Sequence, residues 1–119
     1  AVAAFYGDLP PLWASIQCAG GFQMAPLAET SVEDFHRMHT MNAVTCFLSC
    51  REATSRIRAG GLGGRLVNVG AMPAVHPAAG MAAYGASKAA VVNLTGLTVH
   101  DGLGPHHLAT KRSANALLT

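Results

Sequence analysis

Two short apolar segments on either side of a long helical one constrain the fold more than any other feature of this chain. Residues 12–18, LWASIQC, form a mostly apolar run that stops at a glycine turn, and residues 65–70, RLVNVG, form a β-branched run bounded by glycines. Both patterns are typical of buried strands. Because the segment between them is too long for a hairpin, the two strands are predicted to lie parallel and to be joined by a crossover.

Two long helices are predicted to flank these strands. Residues 31–59 begin with a capping-box pattern, in which Thr30 and Ser31 precede acidic residues, and end before the Gly60-Gly61 pair. Residues 81–99 are rich in alanine and form the second predicted helix, and residues 114–118 form a possible third strand. The order predicts one α/β domain over residues 1–119, with long helices on a parallel sheet of about three strands.

Composition excludes several classes of protein. The net charge of +2 comes from scattered Lys and Arg, which gives no basic surface for nucleic acid or an anionic membrane. The apolar runs are too short to span a bilayer and no secretory leader is recognised, so a cytoplasmic protein is expected. The three cysteines are an odd number and are predicted to be reduced thiols rather than a disulfide framework.

The stretch YGASKAAV, residues 84–91, carries the clearest chemical signal. A spacing of four places Tyr84 and Lys88 on one face of the second helix, near its N-terminal end. Ligands of parallel sheets bind outside the carboxyl ends of the strands, where this helix begins. An ammonium near a phenol favours the phenolate, so the pair is predicted to donate and accept protons in carbonyl and alcohol chemistry.

These residues resemble the short-chain dehydrogenase/reductase family. The Tyr-x-x-x-Lys motif of that family matches Tyr84 and Lys88, Asn42 in MNAVTCFL matches its helix Asn, CAGG resembles its Asn-Ala-Gly turn, and GRLVNVG resembles the strand before its catalytic Ser. The resemblance runs from about residue 12 to residue 97. It implies a partial, doubly wound Rossmann-like fold of three layers.

The resemblance also implies roles for individual residues. Tyr84 would be the general acid that protonates a carbonyl while NADH or NADPH delivers a hydride. Lys88 would lower the pKa of Tyr84 and bind the nicotinamide ribose, Asn42 would hold a water that links Lys88 to solvent, and the backbone of Ala19 and Gly20 would lie against the cofactor. The predicted partners are therefore a nicotinamide cofactor, a small-molecule substrate and a second copy of the chain, paired through the two long helices.

The chain departs from the family pattern in three places. Ala71 stands thirteen residues before Tyr84, where the family has its catalytic Ser. Dihydropteridine reductases, which belong to the same family, also have the Tyr-Lys pair without the Ser. The chain resembles them in this respect, which suggests a quinonoid, pteridine-like substrate. Cys18 replaces the usual Asn. The glycine-rich loop that cradles the pyrophosphate is missing, together with the N-terminal strands that carry it, so strand 12–18 is expected to have a bare edge. The alternative function is therefore a catalytically inactive fragment that acts through helix-mediated dimerisation.

Other candidate sites are interpreted as ordinary side chains. Cys46 and Cys50 have a spacing compatible with metal or redox pairing, but buried small residues are the favoured interpretation. The histidine pairs have no nearby carboxylate or cysteine to complete a ligand set, so solvated histidines and no metal site are predicted; these are His36, His39, His106 and His107.

Overall fold

The structure is a computed structural model that describes the backbone of residues 1–100 and the side chains of residues 1–97. The predicted strand at residues 114–118 lies outside the described residues. Within residues 1–100 the strands and α-helices follow in the order α1 (Val2–Gly7), β1 (Ala14–Gln17), α2 (Val32–His39), α3 (Thr45–Gly60), β2 (Arg65–Asn68) and α4 (Ala82–His100).

The two strands pair in parallel, as predicted. Their register runs from Ala14 opposite Arg65 to Gln17 opposite Asn68. Both strands are shorter than the apolar segments that predicted them, since β1 ends at Gln17 before the glycine turn and the paired register of β2 ends at Asn68. Gly64 permits the close approach at the start of the pair, since a Cβ there would lie 2.5 Å from the carbonyl oxygen of Trp13.

The long helix predicted over residues 31–59 contains an interruption. A π-helical segment, Thr40–Val44, separates α2 from α3. The predicted cap is present at one end, where the Ser31 hydroxyl accepts a hydrogen bond of 3.0 Å from the amide of Asp34. At the other end Gly61 adopts a φ of 70° and donates its amide to the Arg58 carbonyl, 3.1 Å away. A π-helical turn holds an extra residue, which rotates the side chains that follow and often marks a functional position.

Helix α1 was not predicted from the sequence. It has only six residues and no side-chain cap. Tertiary contacts hold it instead, because the buried Tyr6 packs into the core and its hydroxyl lies 2.8 Å from the Ser15 hydroxyl on β1.

The hydrophobic core lies where α3 and α4 cover the sheet. It contains seven buried residues, namely Tyr6, Cys46, Cys50, Ala53, Ile57, Leu66 and Val91. The interpretation of Cys46 and Cys50 as buried small residues fits this placement, whereas Cys18 is exposed at the end of β1. The core therefore fixes α3 and α4, the two helices that border the candidate site.

Candidate active site

The predicted acid/base pair lies in the first two turns of α4. Lys88 is only 7% exposed, while Tyr84 is partly buried. The Tyr84 ring meets the ring of Phe22 edge to face, with 4.9 Å between the ring centroids. Phe22 follows the glycine turn after β1, so this contact places Tyr84 beside that turn.

Lys88 is a buried cation with one hydrogen-bond partner in the part of the chain that the structure describes. Its Nζ donates a hydrogen bond of 2.9 Å to the carbonyl oxygen of Val69, which directly follows β2. Among the described residues no carboxylate forms an ion pair with Lys88. Burial lowers the pKa of Lys88, and only the neighbouring Cys46 opposes this effect. A buried ammonium without an anion is costly, which makes Lys88 a candidate for a binding or catalytic role.

Asn42 ties three parts of the chain together from inside the π-helical segment. Its Nδ2 donates to the Gly21 carbonyl at 3.0 Å and to the Ser87 hydroxyl at 2.9 Å, and its Oδ1 accepts from the Gly21 amide at 2.9 Å. The side chain is 1% exposed. Asn42 therefore locks the glycine turn to α4, and its predicted role in holding a water stays a prediction.

Gly20 lies where Asn42 and Lys88 come together. A Cβ on Gly20 would be 2.5 Å from Asn42 Oδ1 and 3.5 Å from Lys88 Nζ. A side chain at this position would displace the asparagine or cover the ammonium. The structure thus brings Gly20, Asn42 and Lys88 into one cluster, with Tyr84 on the same helix as Lys88. Ala19 is exposed on the adjoining turn.

Two residues that sequence reasoning did not single out complete the cluster. The Ser87 hydroxyl donates to the carbonyl of Tyr84 at 2.7 Å while it accepts from Asn42, and the side chain is 0% exposed. Phe22 supports the Tyr84 ring. Ser87 could have been identified from the sequence, because it is a polar residue next to Lys88 in an alanine-rich helix. Phe22 could not, because an aromatic residue after a glycine turn does not by itself indicate a contact with Tyr84.

Ala71 occupies the position where the family resemblance expects a serine. It is buried, and its carbonyl accepts a hydrogen bond of 3.0 Å from the Ala74 amide in a short 3-10 turn. Its methyl group offers no donor to a substrate.

The described residues contain no group of three side chains that could hold a metal ion, and His36 and His39 are exposed on α2. No helix in the described part of the chain combines the length and apolar character that a membrane crossing needs.

Known proteins match this chain over most of its length. The family model for short chain dehydrogenases matches residues 1–109. A short-chain type dehydrogenase/reductase from Picea abies is 39% identical over 75 residues, and the match covers 63% of this chain and 27% of that protein. A chloroplastic chlorophyll(ide) b reductase from Oryza sativa subsp. japonica is 35% identical over 85 residues, covering 71% of this chain and 25% of that protein.

Solved structures share the fold at lower identity. A short-chain dehydrogenase from Rhodopseudomonas palustris superposes with a TM-score of 0.79 at 24% identity, over 84% of this chain and 48% of that one. A 4-hydroxyisoleucine dehydrogenase complexed with NADH and succinate gives a TM-score of 0.77 at 24% identity, over 84% of this chain and 49% of that one. The chain thus spans about half the length of these structures and about a quarter of the length of the curated relatives.

Proposed function

The chain belongs to the short chain dehydrogenase family, and on this premise we propose that it supplies the acid/base site of an NAD(P)-dependent oxidoreductase. The reaction is a hydride transfer between the nicotinamide cofactor and a carbonyl, an alcohol or a quinonoid pteridine-like compound. Tyr84, Lys88 and Asn42 are the proposed catalytic group, and Ala19, Gly20, Tyr84 and Lys88 the proposed cofactor-binding group.

The observation that carries this proposal is the buried ammonium of Lys88 beside Gly20, which has no carboxylate partner among the described residues. The ammonium has three N–H donors, of which the Val69 carbonyl takes one. Ribose hydroxyls are suitable acceptors for the others. The missing Cβ at Gly20 lets Asn42 Oδ1 and Lys88 Nζ lie against the backbone of the glycine turn. The remaining donors of Lys88 fit the hydroxyls of a nicotinamide ribose.

Contacts in the cluster support the proposed roles of Tyr84 and Lys88. The Tyr84 hydroxyl would donate its proton to a substrate oxygen, with the ring held by Phe22. Ser87 and Asn42 would keep the start of α4 fixed against the glycine turn, so that Tyr84 and Lys88 act from set positions. When bound, the nicotinamide supplies or accepts the hydride.

Ala71 supports the pteridine-like branch of the proposal. With no hydroxyl there, Tyr84 is the single proposed proton donor to the substrate. A conjugated quinonoid acceptor spreads the charge that develops during reduction over its ring system, so it depends less on a second hydrogen-bond donor than an isolated ketone does.

Substitution of Tyr84 by Phe tests the proposed acid/base role. NADH and NADPH oxidation is followed with a quinonoid dihydropteridine and with a small aldehyde. The rate is expected to fall by roughly two to four orders of magnitude in Y84F, the usual contribution of a positioned general acid. Tyr6→Phe is the matched control, because it removes a tyrosine hydroxyl that contacts Ser15 in the core. Equal rates in Y84F and in the unaltered chain would overturn the role.

A second candidate function, a helix-mediated interaction module, is favoured by apolar side chains on the long helices. Phe35, Phe47 and Leu97 are 41%, 45% and 49% exposed. Phe47 and Leu97 also line a cavity of about 280 Å³ between α3 and α4. We propose that a second copy of the chain covers this face. Light scattering is expected to give a dimer for the unaltered chain and a monomer for Phe47→Glu, and a monomeric unaltered chain at high concentration would contradict the pairing.

A further inference from the structure

Two thiols meet on the buried side of α3. Cys46 and Cys50 are 4% and 3% exposed, and their Sγ atoms lie 3.9 Å apart. Cys50 also donates a hydrogen bond of 3.2 Å to Asn68 Oδ1 at the end of β2. The Asn68 amide nitrogen in turn donates to the Thr95 hydroxyl at 2.9 Å. The thiol pair is therefore part of a polar network that joins α3, β2 and α4.

Both sulfur-bearing residues border space that a small oxidant can enter. Cys50 lines the cavity of about 280 Å³ between α3 and α4, and Cys46 lines a second one of about 260 Å³ beside the end of β1. The hydrogen bond from Cys46 lowers the pKa of Cys50, although burial opposes this effect. The same hydrogen bond, together with burial, raises the pKa of Cys46. Cys50 is thus the better nucleophile of the two.

We propose that Cys46 and Cys50 form a redox modification site, in which a peroxide converts the two neighbouring thiols into a reversible disulfide within α3.

The reaction balances with hydrogen peroxide as the oxidant. The Cys50 thiolate attacks one peroxide oxygen, so an S–O bond forms, the O–O bond breaks, and the departing hydroxide takes a proton to become water. The Cys46 sulfur then attacks the Cys50 sulfenic acid. An S–S bond forms, the S–O bond breaks, and the hydroxide that leaves takes the Cys46 proton to form a second water. Two thiols lose two electrons in total, and one peroxide gains them.

Closing this disulfide must distort the first turns of α3, which contain both cysteines. Side chains four apart on a helix have Cβ atoms about 5–6 Å apart, whereas a disulfide brings them to about 3.5–4.5 Å. The π-helical segment Thr40–Val44 ends two residues before Cys46 and is the adjoining irregular turn. Asn42 lies within it and holds Gly21. We therefore expect oxidation to loosen the hold of Asn42 on the glycine turn of the candidate active site.

The test uses the full chain with Cys18→Ser, which removes the exposed thiol. The protein is treated with hydrogen peroxide. It is kept dilute, because pairing of two copies would cover the cavity beside Cys50. Free thiols are then blocked with N-ethylmaleimide and the chain is cut with trypsin. Cleavage after Arg37 and Arg51 yields the segment 38–51, which contains both cysteines. Most of this segment is expected to be lighter than the reduced segment by two hydrogens and to carry no maleimide. Reduction with dithiothreitol before the blocking step is expected to give a segment with two maleimides.

Two single variants in the same background provide the controls. Cys46→Ala and Cys50→Ala each leave one thiol in the segment, so neither is expected to give the lighter species. A segment that carries only oxygen adducts or two maleimides after peroxide would overturn the disulfide. Because this readout needs no cofactor or substrate, it is independent of the proposed oxidoreductase activity.

Hydrogen exchange tests the coupling to Asn42. The Gly21 amide, which donates to Asn42 Oδ1, is expected to exchange several-fold faster in the oxidised chain than in the reduced one. Cys50→Ala treated with peroxide is the control, because it cannot form the disulfide. Unchanged exchange in a fully oxidised chain would contradict the coupling.

Discussion

Replacement of Asn42 by Ala removes the side chain that holds the candidate site together. Three hydrogen bonds are lost, two to the backbone of Gly21 and one to the Ser87 hydroxyl. The asparagine is 1% exposed, so its amide has little access to water in the folded chain. The structure thus predicts both a loss of stability and a looser glycine turn.

The size of the loss follows from these contacts. At a net value of about 1 kcal/mol for each hydrogen bond, the free energy of unfolding falls by about 3 kcal/mol. For a domain of this size that corresponds to a decrease in Tm of roughly 10 °C. Ser87 retains its hydrogen bond to the Tyr84 carbonyl, which keeps the loss from growing further.

Urea unfolding followed by circular dichroism measures this loss. Asn93→Ala is the matched control, because Asn93 is an exposed asparagine on α4, where alanine is the better helix former. The control is expected to keep or slightly raise the free energy of unfolding. If N42A and N93A unfold at the same urea concentration, the three hydrogen bonds do not stabilise the site and the reasoning is refuted.

Three further predictions concern the site and its scaffold. Gly20→Ala is expected to lower Tm, because its Cβ would lie 2.5 Å from Asn42 Oδ1. Gly96→Ala has open space around its Cβ and is expected to raise Tm. A lower Tm in G96A with an unchanged Tm in G20A would contradict this. Burial lowers the pKa of Lys88 from its ordinary 10.5, so the unfolded chain binds more protons just below that pH. Urea unfolding at increasing pH is therefore expected to show the unaltered chain gaining stability relative to Lys88→Met as the pH approaches 10.5, and parallel curves would contradict it. Ser31→Ala is expected to cost about 1 kcal/mol of unfolding free energy through the lost helix cap, whereas the exposed Ser55→Ala is expected to cost little, and equal losses would refute the cap.

The sequence predicted the parallel α/β arrangement because its main signals are local and strong. The apolar run at residues 65–70, the capping pattern at Ser31 and the glycines at 60 and 61 each determine a strand, a helix start or a helix end within a few residues. Tertiary contacts decided what was missed. Helix α1 depends on Tyr6 packing into the core, and the interruption at Thr40–Val44 accompanies the three hydrogen bonds of Asn42.

The candidate site was predictable as a set of residues but not as a network. The spacing of Tyr84 and Lys88 placed both on one helix face, and the turn after residue 18 was expected nearby. The exchange of hydrogen bonds between Asn42 and Gly21 joins residues 21 positions apart, and the bond from Lys88 to the Val69 carbonyl spans 19 positions. No local pattern encodes such contacts, because they depend on how the crossover helix lies on the sheet.

Titration of the purified chain with NADH and NADPH, followed by nicotinamide fluorescence, tests the central claim most directly. The proposed site predicts saturable binding to the unaltered chain. Binding is expected to weaken at least about tenfold in Lys88→Met, since a hydrogen bond from a charged donor contributes about 1.5–3 kcal/mol. Gly96→Ala, far from any side-chain contact, is expected to bind as the unaltered chain does. No binding of either cofactor, or equal binding by K88M, would contradict the claim that Lys88 and its neighbours form a nicotinamide site.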